Sequence, residues 1–319
     1  MDGSLGPPIP AEIGVELEAI CKDRLSGARV LARRGAGTLL RLAGASRADS
    51  VEGFQKELSA ICKALLAAQP LMAPLVNLAN DALWAVQGAA TLEEVKVALI
   101  AAAQGFACGL EASGRRIIQE ALPLIPAEGS VLTHSYSSTV LDALLEARRE
   151  GRGFAVVCTE SRPQCEGRSW AERLAEAGIE TVLVVDAAAP GLVEDVGVVL
   201  VGADSLSTEG LVNKIGTYSL ALAAQAHRVP FYALCGTEKF VPQGYALPKE
   251  GGREPEEVWP DYPQGVRIIN RYFDLTPLPY LTGVVTEKGV LRGHALEEVL
   301  GRRRLHPALG EVATGGGDG

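Results

Sequence analysis

Residues 198–240 read VVLVGADSLSTEGLVNKIGTYSLALAAQAHRVPFYALCGTEKF. The stretch opens on a continuous apolar run that ends in a small-acidic-small turn, Gly202-Ala203-Asp204-Ser205. A Gly-bounded loop, the pair Asn213-Lys214, an apolar helical segment and a second apolar run follow. Short apolar runs bounded by turn signals read as buried strands. The spacing therefore predicts Asp204 at the carboxyl end of a strand, and Asn213 and Lys214 at the start of the next helix. Ligands of open α/β sheets bind at that edge, so the stretch points to a small-molecule site that favours an anion.

The same texture extends in both directions. From Pro126 onward, strands are expected at 130–133, 154–158, 181–185, 198–201 and 230–234. Helices are expected over 137–149, 169–177 and 214–228. Alternation at this spacing means βαβ units and a parallel sheet. Residues 252–265, dense in Glu, Pro and Gly, read as an excursion or flap, and 266–273 and 281–286 as closing strands. Before Pro126 nothing resembles a strand. Apolar residues recur at three- and four-residue spacing over 13–25, 28–42, 51–66 and 92–118, and 71–84 reads as a further short helix. The expected organisation is a flexible lead-in at 1–10, a helical domain at 11–125, an α/β domain at 126–312 and a disordered tail at 313–319.

With 47% hydrophobic residues in 319, the chain can bury a substantial core. A net charge of −9 argues against direct binding to nucleic acid, whose phosphates call for a basic surface. Cys21, Cys62, Cys108, Cys158, Cys165 and Cys235 show no CxxC or Cys/His metal spacing, so free thiols in a reducing cytoplasm are expected. The opening MDGSLGPPIP lacks a signal-peptide pattern, and no uncharged apolar run reaches the roughly 18 residues of a membrane span. Neither a G-x-G-x-x-G in the sheet half nor a Walker A pattern is present, which leaves no expected cofactor and no expected metal.

Four constellations could carry chemistry. Arg33-Arg34-Gly35-Ala36-Gly37-Thr38, placed at a helix start, could hold a phosphate through guanidinium forks and backbone N–H groups; an ordinary exposed turn reads the same way. Thr133-His134-Ser135-Tyr136-Ser137-Ser138-Thr139 crowds hydroxyls into a strand-to-helix turn, where Ser and Thr also serve as plain helix caps. Ser135 would need an activating base, no G-x-S-x-G elbow surrounds it, and His134 reads as structural. Glu160-Ser161-Arg162-Pro163-Gln164 sets a Pro-locked Arg162 past a strand end, either an anion contact or a surface loop, and Gly167-Arg168 opens the next helix. Asp204, with Lys214 near it, could have a pKa suited to acid–base work, or could simply cap its turn. Lys239, in Gly236-Thr237-Glu238-Lys239 at the following strand end, is a further phosphate contact in this reading.

Several of these motifs resemble one family. Met72-Ala73-Pro74-Leu75-Val76-Asn77-Leu78-Ala79-Asn80, the Thr133–Ser137 turn, the ESRP loop, GADS, NKIGTYSLALAA, Phe273-Asp274-Leu275-Thr276-Pro277 and Val285-Thr286-Glu287-Lys288-Gly289-Val290 are similar to the translation initiation factor 2B alpha/beta/delta subunit family. Its superfamily also holds ribose-1,5-bisphosphate isomerase and methylthioribose-1-phosphate isomerase. The resemblance implies a helical N-terminal domain, a Rossmann-like parallel-sheet domain and dimerisation through the latter. For the isomerase branches it implies aldose-to-ketose conversion by a Cys in a Thr-His-Cys turn and an Asp in the GAD turn, with Arg-Gly-Ala and Asn-Lys segments gripping substrate. Arg34, Gly35, Ala36, Arg162, Asp204, Asn213 and Lys214 match that pattern. Ser135 stands where the Cys would be, and Glu166 where isomerases tend to have Gln. A thiol titrates near 8.5, whereas a serine hydroxyl needs a strong base beside it. The expectation is an alpha-subunit-like regulatory protein that binds a sugar phosphate or nucleotide in a degenerate isomerase site as a homodimer, with higher assemblies left open. The alternative is an isomerase acting on ribose 1,5-bisphosphate, ahead of methylthioribose 1-phosphate.

Overall fold

The computed structural model describes residues 9–23 and 26–310. The expected tail at 313–319, all but two residues of the expected lead-in, and the end of the first predicted helix at 24–25 lie outside the described residues. The chain divides into two compact units. One takes Met1–Ala112, Glu238–Pro248 and the segment from Leu300 onward, and the other takes Ser113–Thr237 and Lys249–Val299.

The first unit is built on α1 (Ala11–Lys22), α2 (Ala28–Ala45), α3 (Val51–Ala68), α4 (Ala73–Ala85) and the N-terminal part of α5 (Leu92–Ala121). In α3, Ser50 caps the N-terminus, its Oγ accepting the Gly53 N–H at 3.1 Å. Phe54, Leu58, Ile61, Cys62, Leu65 and Leu66 then recur at helical spacing and are fully buried. Burial holds the Cys62 thiol far above its ordinary pKa, so it is an inert core residue. α4 is buried on nearly every side, and its two asparagines anchor segments that return late in the chain. Asn77 Nδ2 donates to the Phe240 carbonyl at 2.9 Å. Asn80 Nδ2 donates to the Arg304 carbonyl at 3.2 Å, and its Oδ1 accepts the His306 N–H at 2.6 Å. Leu92–Leu124, which contains α5, is long and apolar enough to cross a membrane by length and composition alone, with 22% of its most apolar window buried. The middle of α5 is rich in alanine, which raises hydropathy without a large apolar side chain.

Along the second unit the order is β1 (Glu128–His134), α6 (Ser138–Arg149), β2 (Gly153–Thr159), α7 (Gly167–Glu176), β3 (Glu180–Val184), β4 (Val198–Val201), β5 (Ser205–Leu206), β6 (Leu211–Lys214), α8 (Thr217–His227), β7 (Phe231–Leu234), β8 (Phe273–Thr276), β9 (Gly283–Thr286), β10 (Gly289–Leu291) and α9 (Gly293–Leu300). The main sheet has the order β10-β9-β7-β4-β1-β2-β3, parallel throughout except for the antiparallel β9–β10 edge. The chain winds from β1 out to β3, then crosses back to β4 and proceeds the other way. The carboxyl ends of β1 and β4 are therefore the topological switch point, where such sheets receive ligands. Val131, Val156, Leu200, Leu234 and Val285 pack with Leu144, Trp170 and Leu174 in the core that holds these strands in place. A second, antiparallel sheet, β5-β6-β8, lies outside the expected plan.

Two expectations are corrected here. Asn213 and Lys214 lie in strand β6, paired with Asp274 and Phe273 of β8, and α8 begins only at Thr217. Their polar side chains suggested a helix start, but the long-range β8 partner decides the conformation. The expected strand at 266–273 begins only at its last residue, because the N–H groups of Tyr272 and Phe273 donate to the Glu250 carboxylate at 2.9 Å and the chain before them has no ladder partner.

Candidate functional site

β1 and β4 run level, with His134 opposite Val201, so Ser135 and Gly202 leave the sheet side by side. At Gly202 a Cβ would stand 2.8 Å from the Cβ and Oγ of Ser137, so the close approach of the two exits requires glycine. Ser137 caps α6 through the Val140 N–H at 3.3 Å, as a Ser at this turn predicts. Ser135 (φ 65°), Ser161 (φ 63°) and Cys165 (φ 56°) hold left-handed backbone conformations that L side chains rarely adopt. Such conformations persist where surrounding contacts enforce them, and they gather at ligand sites.

His134 enforces the first of them. Its Nε2 lies 2.8 Å from the Ile215 carbonyl, which can only accept, so Nε2 carries the proton. Burial lowers the imidazole pKa and keeps the ring neutral, leaving Nδ1 to accept from Thr159 Oγ1 at 2.7 Å. Thr159 Oγ1 in turn lies 2.9 Å from Ser161 Oγ, which accepts the Ser135 N–H at 2.9 Å. His134 is thus a structural histidine, as its sequence context suggested. Gly216, at φ 106°, leaves room for it: a Cβ there would meet His134 Nε2 at 3.1 Å.

The charged centre of the site is Glu166, the residue just before α7. Its Oε1 accepts from Ser135 Oγ at 2.8 Å and from Lys214 Nζ at 2.8 Å. The side chains of Lys214 and Glu166 are only 8% and 11% exposed, so the pair is held away from bulk water. Glu166 Oε2 is enclosed and has no hydrogen-bond partner among the described residues. The ammonium of Lys214 lies 5.0 Å from the centroid of the Tyr272 ring, and Arg253 lies 4.7 Å from the same centroid. Tyr272 OH donates to Glu257 at 2.6 Å and accepts from Gln164 Nε2 at 2.7 Å. Burial and the Glu257 carboxylate push this phenol well above its ordinary range, so it stays protonated. The expected flap is thereby tied to the ESRP loop, and Arg162 Nη2 adds a bond to the Val258 carbonyl at 3.0 Å. The N–H groups of Ser161 and Arg162 both donate to Asp186, at 2.8 and 2.7 Å.

Asp204 follows β4 as expected, its N–H donating to the Val212 carbonyl at 2.9 Å beside β6. Asn213 Nδ2 donates to Thr217 Oγ1 at 3.0 Å. Asp274, whose role was not visible in the sequence, caps α8: its Oδ2 accepts from Gly216 N at 2.8 Å and Tyr218 N at 3.1 Å, while Oδ1 is buried without a partner among the described residues. Burial pushes the Asp274 carboxyl up to about 6, against the two N–H donors that pull it down. Below pH ~4 it is protonated folded or unfolded; between pH ~4 and ~6 only the unfolded chain gives up the proton, so stability falls as pH rises through that window. The full effect is roughly 3 kcal/mol at 1.36 kcal/mol per pH unit. Asp274→Asn retains an acceptor for both N–H groups. Urea unfolding should find the wild type gaining up to about 3 kcal/mol on this variant between pH 7 and pH 4; a difference that does not change with pH would refute the assignment.

Residues of the first unit are placed differently from expectation. α2 runs unbroken through 33–38, so Arg34, Gly35 and Ala36 are not at a helix start and their N–H groups belong to the helix ladder. Gly35 lets α2 pack closely on α4: a Cβ there would lie 2.8 Å from Leu75 Cδ2 and 3.0 Å from Leu78 Cδ2. Arg34 is bonded to Glu16 and Asp23, each at 2.8 Å, and lines an open cavity of about 380 Å³ with Arg33 and Arg41. Lys239 is buried in a single 3-10 turn.

Glu166, Tyr272, Gln164 and Asp274 are the site residues that sequence reading did not assign. Asp274 and Tyr272 had one usable signal, their position in and beside the FDLTP motif. Glu166 had another, its place where the isomerases tend to have Gln.

A model of the initiation factor 2 subunit family matches residues 24–293. Ribose 1,5-bisphosphate isomerase of Archaeoglobus fulgidus is 34% identical over 282 residues, covering 86% of this chain and 88% of that protein. Methylthioribose-1-phosphate isomerase of Syntrophotalea carbinolica is 33% identical over 275 residues, covering 77% and 78%. Among solved structures, the translation initiation factor eIF-2B of Pyrococcus horikoshii OT3 superposes with a TM-score of 0.78 at 30% identity, over 90% of this chain and 98% of that one.

Proposed function

We propose that this chain, which belongs to the initiation factor 2 subunit family, binds a phosphorylated sugar or nucleotide at the β1/β4 edge and holds it without converting it. The observation that carries this reading is the state of Ser135. Its hydroxyl is bonded to a carboxylate oxygen that Lys214 already occupies. A carboxylate with a reference pKa near 4.3 cannot take a proton from a hydroxyl many units more basic. Ser135 therefore lacks what a thiol at that turn would have. Asp204, Asn213, Lys214 and Arg162, all in the second unit, are the ligand contacts this reading assigns. It also takes the protein to be a cytoplasmic homodimer, in keeping with its free thiols and with the exposed Val182, Leu183 and Val185 at the β3 edge.

The second reading is an aldose–ketose isomerase acting on ribose 1,5-bisphosphate, with methylthioribose 1-phosphate less favoured. The relatives' names and the position of Asp204 at the switch point favour it. Incubation with ribose 1,5-bisphosphate, followed by phosphorus NMR, separates the two. The expected result is an unchanged spectrum together with a thermal shift of a few °C at about 100 Kd of ligand, equivalent to ~2.7 kcal/mol. Conversion that disappears in Asp204→Ala would establish the isomerase instead.

A further inference from the structure

We infer that Glu166 sets which ligands the site admits: its carboxylate fills the anion position at Lys214, so a sugar monophosphate that brings uncharged oxygen there is preferred to a bisphosphate. The inference rests on the proposed reading of the site as a phosphosugar site, and it sharpens the ligand class.

The ammonium of Lys214 is the natural seat for a phosphate at this edge, being almost fully buried at the end of β6. That seat is already taken. Glu166 Oε1 stands 2.8 Å from Nζ, and the same oxygen takes the Ser135 hydroxyl at 2.8 Å. The pair is neutral as a unit, and Tyr272 flanks the ammonium on its own side. A phosphate oxygen hydrogen-bonded to Nζ would come within about 6 Å of Glu166 Oε1, given ordinary donor–acceptor lengths. At that distance, inside a site shielded from water and salt, two like charges repel strongly. A hydroxyl or carbonyl oxygen meets no such repulsion, and Lys214 keeps further N–H donors for it. The partnerless Oε2 sharpens the point: among the described residues Lys214 and Ser135 alone hold the carboxylate, with half its acceptor capacity unfilled. Replacing Glu by Gln would remove the internal anion, leave the Lys214 charge uncompensated and turn the same spot into a phosphate seat.

Calorimetric titration of the full chain with ribose 5-phosphate and with ribose 1,5-bisphosphate tests this. The wild type is expected to bind the monophosphate more tightly, and Glu166→Gln to shift the affinity ratio toward the bisphosphate by about tenfold or more. Glu166→Asp, which keeps the charge, is expected to keep the wild-type ratio. The wild-type measurement stands even where a variant fails to fold, and a wild type that prefers the bisphosphate overturns the inference. Measurable binding with a ratio that Glu166→Gln moves by less than about threefold sinks the role of Glu166 alone. No binding of either sugar by either protein at about 10 mM sinks the phosphosugar reading and this inference with it.

Discussion

Lys214→Met is expected to lower stability by about 3–5 kcal/mol, because it strands a buried carboxylate. Lys214 Nζ and Glu166 Oε1 are 2.8 Å apart and both side chains are about nine-tenths enclosed. Removing the ammonium leaves Glu166 with the Ser135 hydroxyl as its one side-chain hydrogen-bond donor among the described residues, and the contact of the ammonium with the Tyr272 ring goes as well. The loss should appear as a fall of roughly 5–8 °C in the apparent Tm, at about 1.5 °C per kcal/mol for a chain this size. The double variant Lys214→Met, Glu166→Leu has no stranded charge, and a buried ion pair replaced by apolar groups of similar volume is often neutral. It should therefore recover most of the loss, so the two substitutions couple strongly in a double-mutant cycle. Two single effects that simply add would mean that the pair does not hold this part of the second unit together.

The same pair marks where sequence reading stopped. The strands β1, β2, β3, β4 and β7 and the helices α2, α3 and α6 were legible because apolar period fixes them locally, whatever they later touch. Residues 211–214 were not, since Asn213-Lys214 is polar and short; its conformation comes from β8, some sixty residues further along. The run Arg33–Thr38 misled in the opposite way. Two glycines in six residues look like a break, yet α2 continues, and Gly35 serves packing instead: Leu75 and Leu78 occupy the space of a side chain there. The site was half legible. Ser135, Arg162 and Asp204 follow from their places at strand ends, which the βαβ pattern predicts. That the carboxylate of Glu166 meets both Ser135 and Lys214 depends on three loops converging at the switch point. The sequence marks that only as a departure from the family's pattern.

Gly167→Ala is the substitution expected to undo both the fold at this edge and the site. On helix propensity alone it should gain about 1 kcal/mol, since Gly167 opens α7 with an ordinary backbone conformation. Space decides otherwise. A Cβ at 167 would sit 1.8 Å from the Thr159 carbonyl oxygen, 2.9 Å from its carbon and 3.1 Å from the Glu160 carbonyl carbon. All three are backbone atoms at the end of β2, so none can swing aside as a side chain would. Restoring an ordinary contact of about 3.5 Å moves the start of α7 by more than an ångström, and Glu166 is the adjoining residue. Its carboxylate then leaves Ser135 and Lys214, and the buried pair is broken along with the packing of Trp170 one turn further on. The expected loss is about 3 kcal/mol or more in urea unfolding, together with loss of any thermal shift by phosphosugars. Gly105→Ala is the control: it lies in the interior of α5 and nothing stands within 4 Å of its added Cβ, so it should be neutral or stabilise by up to about 1 kcal/mol. If Gly167→Ala behaved like Gly105→Ala, the approach of α7 to the end of β2, and with it the placement of Glu166, would be wrong.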